Sequence, residues 1–376
     1  MQRFEQDLDV TRIIMELGVL HKKTIQPGKT LVIFDEIQFC NPALTALKYF
    51  CENAPEYHIA CAGSLLGIAL SKPLSFPVGK VNFLNLRPMN FLEFLLANGE
   101  EMLCEYLQEL SAADKVSSLF AGQLENYLRT YFITGGMPEA VATWIRTKDV
   151  VQLEAVQQQI LNSYELDFAK HAPSNDFHKL SAIWSSIPKQ LAKDNSKFIF
   201  SQVKKGWRAK DLEDALEWLI SAGLVYKIAK IERPFLPLSA YADSSFFRLY
   251  MVDIGLLRKL AGLPAEVLIE KTDAYREFKG AMTENYFLEE WMQQRETPPF
   301  YWKSGNTAEV DFVVQYGSAI IPVEVKSEHN DKAKSLAVYR KKYSPSVSVI
   351  TSMNKLSIGD IRHIPLYLLW QLEKYI

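Results

Sequence analysis

Residues 30–39 read TLVIFDEIQF, and the fold turns on them. Four apolar residues, Leu31 to Phe34, run without a break into two carboxylates, Asp35 and Glu36. An uninterrupted apolar run of this length predicts a strand buried on both faces, as in parallel sheets covered by helices. Such strands end at the rim where open α/β sheets bind ligands. Two acids at that rim suit a site in which one holds Mg²⁺ and the other polarises a water. The flanks continue the alternation. Leu8, Ile13, Ile14 and Leu17 recur at helical spacing, with Gly18 marking a helix end. NPALTALKYFCENAP predicts a helix capped by Asn41, with Pro42 at its first helical position. YHIACAGS predicts a second apolar strand closing in the small-residue turn Ala62-Gly63-Ser64.

A length of 376 residues calls for two or three domains. A hydrophobic share of 48% with 23% charged residues is that of a soluble globular protein, and a formal charge of −2 gives no global pull toward nucleic acid. Any such binding must come from local basic patches. Cys40, Cys51, Cys61 and Cys104 lack metal-ligand spacing and read as buried thiols in a reducing cytosol. The acidic, polar MQRFEQDLDV excludes a signal peptide, and no apolar run reaches the ~18 residues that would span a bilayer. A cytoplasmic protein with no membrane partner is expected.

From Phe91 to Lys170 the pattern is helical, broken at TGGMPEAV, residues 134–141. Phe177, Leu180, Ile183, Trp184, Ile187 and Leu191 form one helix stripe, KFIF predicts a short strand, RAKDLEDALEWLISAG a helix stopped by Gly223, and LVYKIAKI a strand. Helix, strand, helix, strand suits a winged-helix module. Lys204, Lys205 and Arg208 cluster where a recognition helix would begin, and are candidate contacts to DNA phosphates.

A phosphate-binding loop reads G-x-x-x-x-G-K-[ST] between a strand and a helix. Gly28-Lys29-Thr30 matches its tail, but Lys23 stands where the first glycine belongs, Pro27 removes an N–H donor, and a strand follows Thr30. These residues read as a turn. Asp35, Glu36 and Ser64 without an amide cradle would set negative charge beside a polyanion, so ATP turnover by this chain alone is not expected.

Near the carboxyl end, Asp311 lies in EVDFVV, and Glu324 and Lys326 in IPVEVK. Residues two apart in a strand share a face. A hairpin turn over Gln315 to Ser318 sets Asp311 opposite Pro322, on the face of Glu324. Two carboxylates and an ammonium then converge, a set suited to Mg²⁺. A solvated Glu–Lys pair on a hairpin is the plainer alternative.

In order along the chain, LVIFDEIQ, AGSLLG, PVGKVNFLNLRPMNFLEFL, TGGMPEAV, FRLYMVDIGLLRKL and EVDFVV…IPVEVK resemble prokaryotic AAA-type P-loop ATPases with a conserved C-terminal domain of unknown function, DUF4143. The resemblance covers almost the whole chain. It implies that Asp35 holds Mg²⁺ through water, that Glu36 polarises the attacking water, and that Ser64 senses the ATP γ-phosphate. Lys80 stands where members often carry Arg. Members carry the phosphate loop upstream of the acid-bearing strand, so a truncated product is expected. The D-x₁₂-E-V-K spacing, with Glu284 in GAMTENYF, is similar to the PD-(D/E)XK nuclease core. It implies Glu284, Asp311 and Glu324 as metal ligands, Lys326 as the group that orients the attacking water, and Lys334, Arg340, Lys341 and Lys342 beside a phosphate backbone. AAA-type ATPases complete their sites between subunits, which implies self-association.

The expected fold class is α/β. A partial P-loop parallel sheet spans 1–90, a helical lid 91–172, a winged-helix module 173–240 and a restriction-endonuclease-like domain 241–376. The expected function is that of an AAA-like protein unable to hydrolyse ATP alone, with a role tied to nucleic acid. The alternatives are a Mg²⁺-dependent nuclease and a non-catalytic DNA- or protein-binding scaffold.

Overall fold

The TLVIF stretch forms strand β1 (Leu31–Phe34) in the computed structural model, which describes residues 2–63, 77–112, 114–172, 176–193, 197–270, 276–305, 308–329 and 333–376. It pairs in parallel with β2 (His58–Cys61), Leu31 opposite His58 and Phe34 opposite Cys61. Three helices pack with this pair: α1 (Gln2–Gln6), α2 (Val10–His21) and α3 (Asn41–Asn53). Val32, Phe34, Ile59 and Cys61 meet the core built on Ile13, Ala46 and Phe50. Phe34 stands edge-on to Phe4, ring centres 5.5 Å apart. The other face is bare: Leu31 is 57% and Ile33 62% exposed. The strand expected to be buried on both faces is therefore covered on one, because all the packed apolar helix residues gather on the Val32–Phe34 side.

Two local expectations shift. Gly18 does not end α2; the helix runs one turn further to a left-handed cap at Lys22 (φ 52°), whose N–H reaches the Gly18 and Val19 carbonyls. The cap of α3 is Cys40, so Asn41 is already helical and caps nothing. The four cysteines are free, but of the four expected to be buried only Cys104 is; Cys40 and Cys61 are half-buried and Cys51 is exposed.

The chain divides into two units, Met1–Leu86 with Trp218–Gly223, and Arg87–Glu217 with Leu224–Ile376. The second begins with helices Phe91–Ala97, Glu101–Glu109, Ser118–Thr134, Pro138–Thr147, Val150–His171 and Phe177–Leu191. Phe91–Ala97 opens on a capping box in which Asn90 and Glu93 satisfy each other's backbone N–H. KFIF is not a strand: Phe198 donates one backbone bond to Phe247 (2.8 Å) and stacks on its ring, and Phe200–Val203 is a short helix.

A seven-stranded mixed sheet follows, in the order β4-β3-β5-β6-β7-β8-β9. Its strands are β3 (Val225–Ile231), β4 (Ala242–Met251), β5 (Phe300–Ser304), β6 (Ala308–Tyr316), β7 (Ala319–Val325), β8 (Ser348–Ser352) and β9 (Ile361–Pro365). β3 and β4 form an antiparallel pair on either side of residue 240, and β3 joins β5 through Lys230–Tyr301 and Ile231–Trp302. The border expected at 240 thus falls inside one continuous sheet. Helix Arg276–Met292 packs on one face through Phe287 and Phe312; helix Lys334–Tyr343 packs on the other through Trp302 and Tyr339.

TGGMPEAV owes its glycines to a crossing. Asp253, fully buried, caps helix Ile254–Leu260 by accepting Leu256 N–H (2.8 Å), and also accepts Gly136 N–H (2.7 Å). Gly255 and Met137 donate to it as well. Burial raises its pKa to about 6 against the pull of these donors. A Cβ on Gly135 would strike the Asp253 carboxylate, one on Gly136 the Met89 backbone, and one on Gly255 the Thr134 carbonyl. Arg258, also fully buried, ties the same corner to Ile133, Leu263, Glu154 and Gln157. Among the described residues no helix is long and apolar enough to cross a membrane.

Replacing Asp253 by Ala strands several buried N–H donors and removes a helix cap. Urea denaturation is expected to show a loss of about 2–4 kcal/mol. Gly136→Ala is expected to lower the midpoint as well, through steric conflict with the Met89 backbone.

Candidate functional site

At the carboxyl end of β1 the backbone is pinned to β2. Ala62 N–H donates to Phe34 O (2.9 Å) and Ile37 N–H to Ala62 O (3.1 Å). Asp35 and Glu36 stand between these bonds, both exposed. Asp35 Oδ1 accepts Glu36 N–H (3.0 Å), and Glu36 Oε2 accepts Gln38 Nε2 (2.5 Å). Glu36 holds the left-handed backbone (φ 51°, ψ 42°), a conformation that costs energy in a non-glycine residue and collects at functional turns. A cleft of about 530 Å³ runs along β1, with His21 and Lys23 among its lining and Asp35 and Glu36 at the strand tip. Residues 27–29 form a turn closed by Thr30 N–H to Gln26 O (3.0 Å). Ser64 lies outside the described residues. Lys80 pairs with Glu52 at 3.0 Å.

A second constellation forms on the seven-stranded sheet. Between the pairs Trp302–Val310 and Phe300–Val313, two residues of β6, Asp311 and Phe312, stand opposite one residue of β5. The bulge interrupts the β5–β6 ladder at Asp311. Asp311 Oδ2 accepts Val325 N–H (2.8 Å), and Lys326 Nζ pairs with Glu324 Oε1 at 2.6 Å. The expected register is corrected. Val313 rather than Asp311 faces Pro322, because Tyr316 already pairs with Ala319 across a tighter turn. The slip is two residues, so the shared face survives.

Glu284 reaches the same spot from the helix. Its Oε2 accepts Tyr250 OH (2.7 Å) and pairs with Arg248 at 3.3 Å. Arg248, only 2% exposed, also pairs with Glu309 and lies 4.5 Å over the Tyr301 ring. Lys303 meets Glu309 at 2.8 Å. Burial first, then Asp311, pushes Glu284 up to about 7 and Glu324 up to about 8. Burial opposes the charge on Lys326, yet Asp311 and Glu324 raise it above the ordinary lysine value. Glu324 Oε2 is buried without a hydrogen-bond partner. Among the described residues no three His, Cys, Asp or Glu side chains stand as a ready metal-ligand set. The sequence reading missed Arg248, Tyr250 and Glu309; the signal for the first was a lone arginine inside the apolar strand FFRLYMV.

Lys204, Lys205 and Arg208 are exposed ahead of helix Ala209–Ser221, with Lys204 4.8 Å over the Trp207 ring. Lys334, Lys341 and Lys342 are exposed, and Arg340 lies 3.9 Å from Asp360.

Residues 2–95, which hold Asp35 and Glu36, match the family model of an AAA domain. Residues 279–369, which hold Glu284, Asp311, Glu324 and Lys326, match DUF4143. The chain is thus similar to an AAA domain near its start and to DUF4143 near its end. Between the two, residues 125–267 match a further domain of unknown function, DUF8612, which takes in the Asp253 crossing and the β3–β4 pair. No curated protein matches the chain. A solved structure, the Walker-type ATPase PABY2304 of Pyrococcus abyssi, is similar at 15% identity over 67% of this chain and 67% of its own, with a TM-score of 0.40, too distant to bear on fold or activity.

In the stretch that matches DUF4143 the linkage has a definite sign. Glu284 and Glu324 titrate above the ordinary carboxylate in the folded chain, so their contribution to stability is complete below about pH 4.5 and is lost as pH rises through about 7 and 8. Arg248→Met removes the guanidinium paired with Glu284 and leaves Glu309 with Lys303 alone, at an expected cost of about 3–5 kcal/mol. Denaturation curves should show a smaller loss at about pH 5.5, where Glu284 is protonated, than at about pH 8.5.

Proposed function

We propose that this chain is an AAA-type ATPase-like protein whose acid pair works only with a phosphate cradle supplied from outside its own sequence. The observation that supports this is the position of Asp35 and Glu36 at the carboxyl end of a parallel strand pair, beside an open cleft. Exposed hard oxygen donors suit Mg²⁺, which Asp35 would hold through water. Mg²⁺ would neutralise triphosphate charge there. Glu36, set by its left-handed backbone, would accept a hydrogen bond from the attacking water. No G-x-x-x-x-G-K-[ST] occurs in the sequence, so triphosphate would meet acids without an amide cradle. The purified chain is expected to give no Mg²⁺-ATP turnover above blank in a phosphate-release assay. Turnover that falls in Glu36→Gln would overturn the reading. Lys204, Lys205 and Arg208 would carry a nucleic-acid role through phosphate contacts.

A second reading is Mg²⁺-dependent phosphodiester cleavage. It is favoured by the convergence of Glu284, Asp311, Glu324 and Lys326, and by the unpartnered Glu324 Oε2, an acceptor that a hard cation would satisfy. Asp311 and Glu324 would hold the ion, and the Lys326 ammonium would orient water. Plasmid and single-stranded DNA incubated with Mg²⁺ or Mn²⁺ test it. Cleavage lost in both Asp311→Ala and Lys326→Ala is the expected result; no cleavage, or cleavage that persists in them, removes it.

A further inference from the structure

The acids around Glu284 come with cations of their own. Arg248 is 2% exposed, and its guanidinium lies 4.5 Å over the Tyr301 ring, donates to Tyr250 OH (3.3 Å), and pairs with Glu284 at 3.3 Å and with Glu309. The negative charge of Asp311 acts on it as well. Its backbone is fixed in register with Ile228 of β3. A guanidinium so enclosed stays charged and has little room to turn away. Lys303 and Lys326 answer Glu309 and Glu324 at 2.8 and 2.6 Å. Four acids, Glu284, Glu309, Asp311 and Glu324, thus meet three bases, one charge short of balance. One acceptor is left over: Glu324 Oε2, on a side chain only 5% exposed, has no partner.

We propose that Arg248 is a built-in competitor of the divalent ion, holding the affinity of Asp311 and Glu324 for it low. This rests on the second reading above, in which those two carboxylates hold the ion, and it adds the residue that sets how tightly they do so. A divalent ion added to the set turns a shortfall of one charge into an excess of one. With Arg248 gone, the same ion brings the set into balance. Arg248 pairs with neither Asp311 nor Glu324, so it acts on the ion through charge and not by filling their ligand positions. Repulsion between cations is strong in a desolvated pocket and reaches over several ångströms. The same guanidinium lets the acids fold together with no ion present, because a buried carboxylate needs a partner. The acids accordingly do not stand as a ready ligand set; nitrogen groups stand among them.

Binding of Mn²⁺ alone to the full chain, followed as loss of the free-ion signal in electron paramagnetic resonance, tests this without any turnover. Arg248→Met removes the charge and is expected to bind Mn²⁺ at least about tenfold tighter than the wild type. Adding Asp311→Asn or Glu324→Gln should abolish that gain, while Asp35 and Glu36, unchanged throughout, contribute the same background. Arg248→Lys, which keeps a cation, should bind no better than the wild type. Arg248→Met/Glu309→Gln removes an acid together with its partner, and carries the test should circular dichroism show Arg248→Met unfolded; the same gain is expected of it. A wild type that already binds Mn²⁺ through Asp311 as tightly as Arg248→Met does overturns the proposal and leaves the second reading standing. No Asp311-dependent Mn²⁺ binding in any variant overturns both. A gain that survives Asp311→Asn, or that appears equally in Arg248→Lys, also overturns the proposal.

Discussion

The second unit is organised around a carboxylate closed off from the surface. Asp253 is enclosed at the meeting of two helix starts, Pro138–Thr147 and Ile254–Leu260, and four peptide N–H groups converge on it. Helix N-termini favour an anion, which offsets part of the cost of burying one. The enclosure is possible only because three neighbours lack a Cβ: Gly135, Gly136 and Gly255 let the backbones close to contact distance. From that point the chain is committed. Helix Ser118–Thr134 ends there, β4 arrives there, and β4 carries Arg248 into the sheet that bears the acid pocket.

The two acidic sites differ in how their charge is handled. At the β1 tip, Asp35 and Glu36 face solvent, where water itself screens them. On the seven-stranded sheet, Glu284, Glu309, Asp311 and Glu324 are answered by Arg248, Lys303 and Lys326. Desolvated charge must be paired or neutralised, and both happen there: cations take up part of it, and raised proton affinity the rest. A group that needs an exposed pair of hard ligands finds them at the first site. At the second it meets acids already shared among basic side chains.

Much of this was legible in the sequence where periodicity and local chemistry agree. The apolar run ending in Asp35 and Glu36 gave the strand, and two-residue spacing set Glu324 beside Lys326. Burial of β1 was misread because an apolar run says that a strand wants cover on both faces, not that cover is present. KFIF was misread because strand propensity in four residues yields to the stacking of Phe198 on Phe247. The hairpin register escaped because turn length, not strand pattern, fixes it, and here Gly317 (φ 58°) allows a shorter turn. Arg248 stood out as a lone arginine in an apolar strand, but its pairing was out of reach: Glu284 and Glu309 lie far along the chain, and no local signal couples them.

That separation bears on how the molecule is built in time. The β6–β7 hairpin brings Asp311, Glu324 and Lys326 together across a short turn, which closes early and at little entropic cost. The guanidinium that balances the pocket comes from the β3–β4 arm, which joins the sheet through only two residue pairs with β5. A contact so distant in sequence is slow to form. The nascent acid cluster is therefore left to solvent or to passing cations until that arm docks, and the pocket's electrostatic closure marks a late event in the chain's self-assembly.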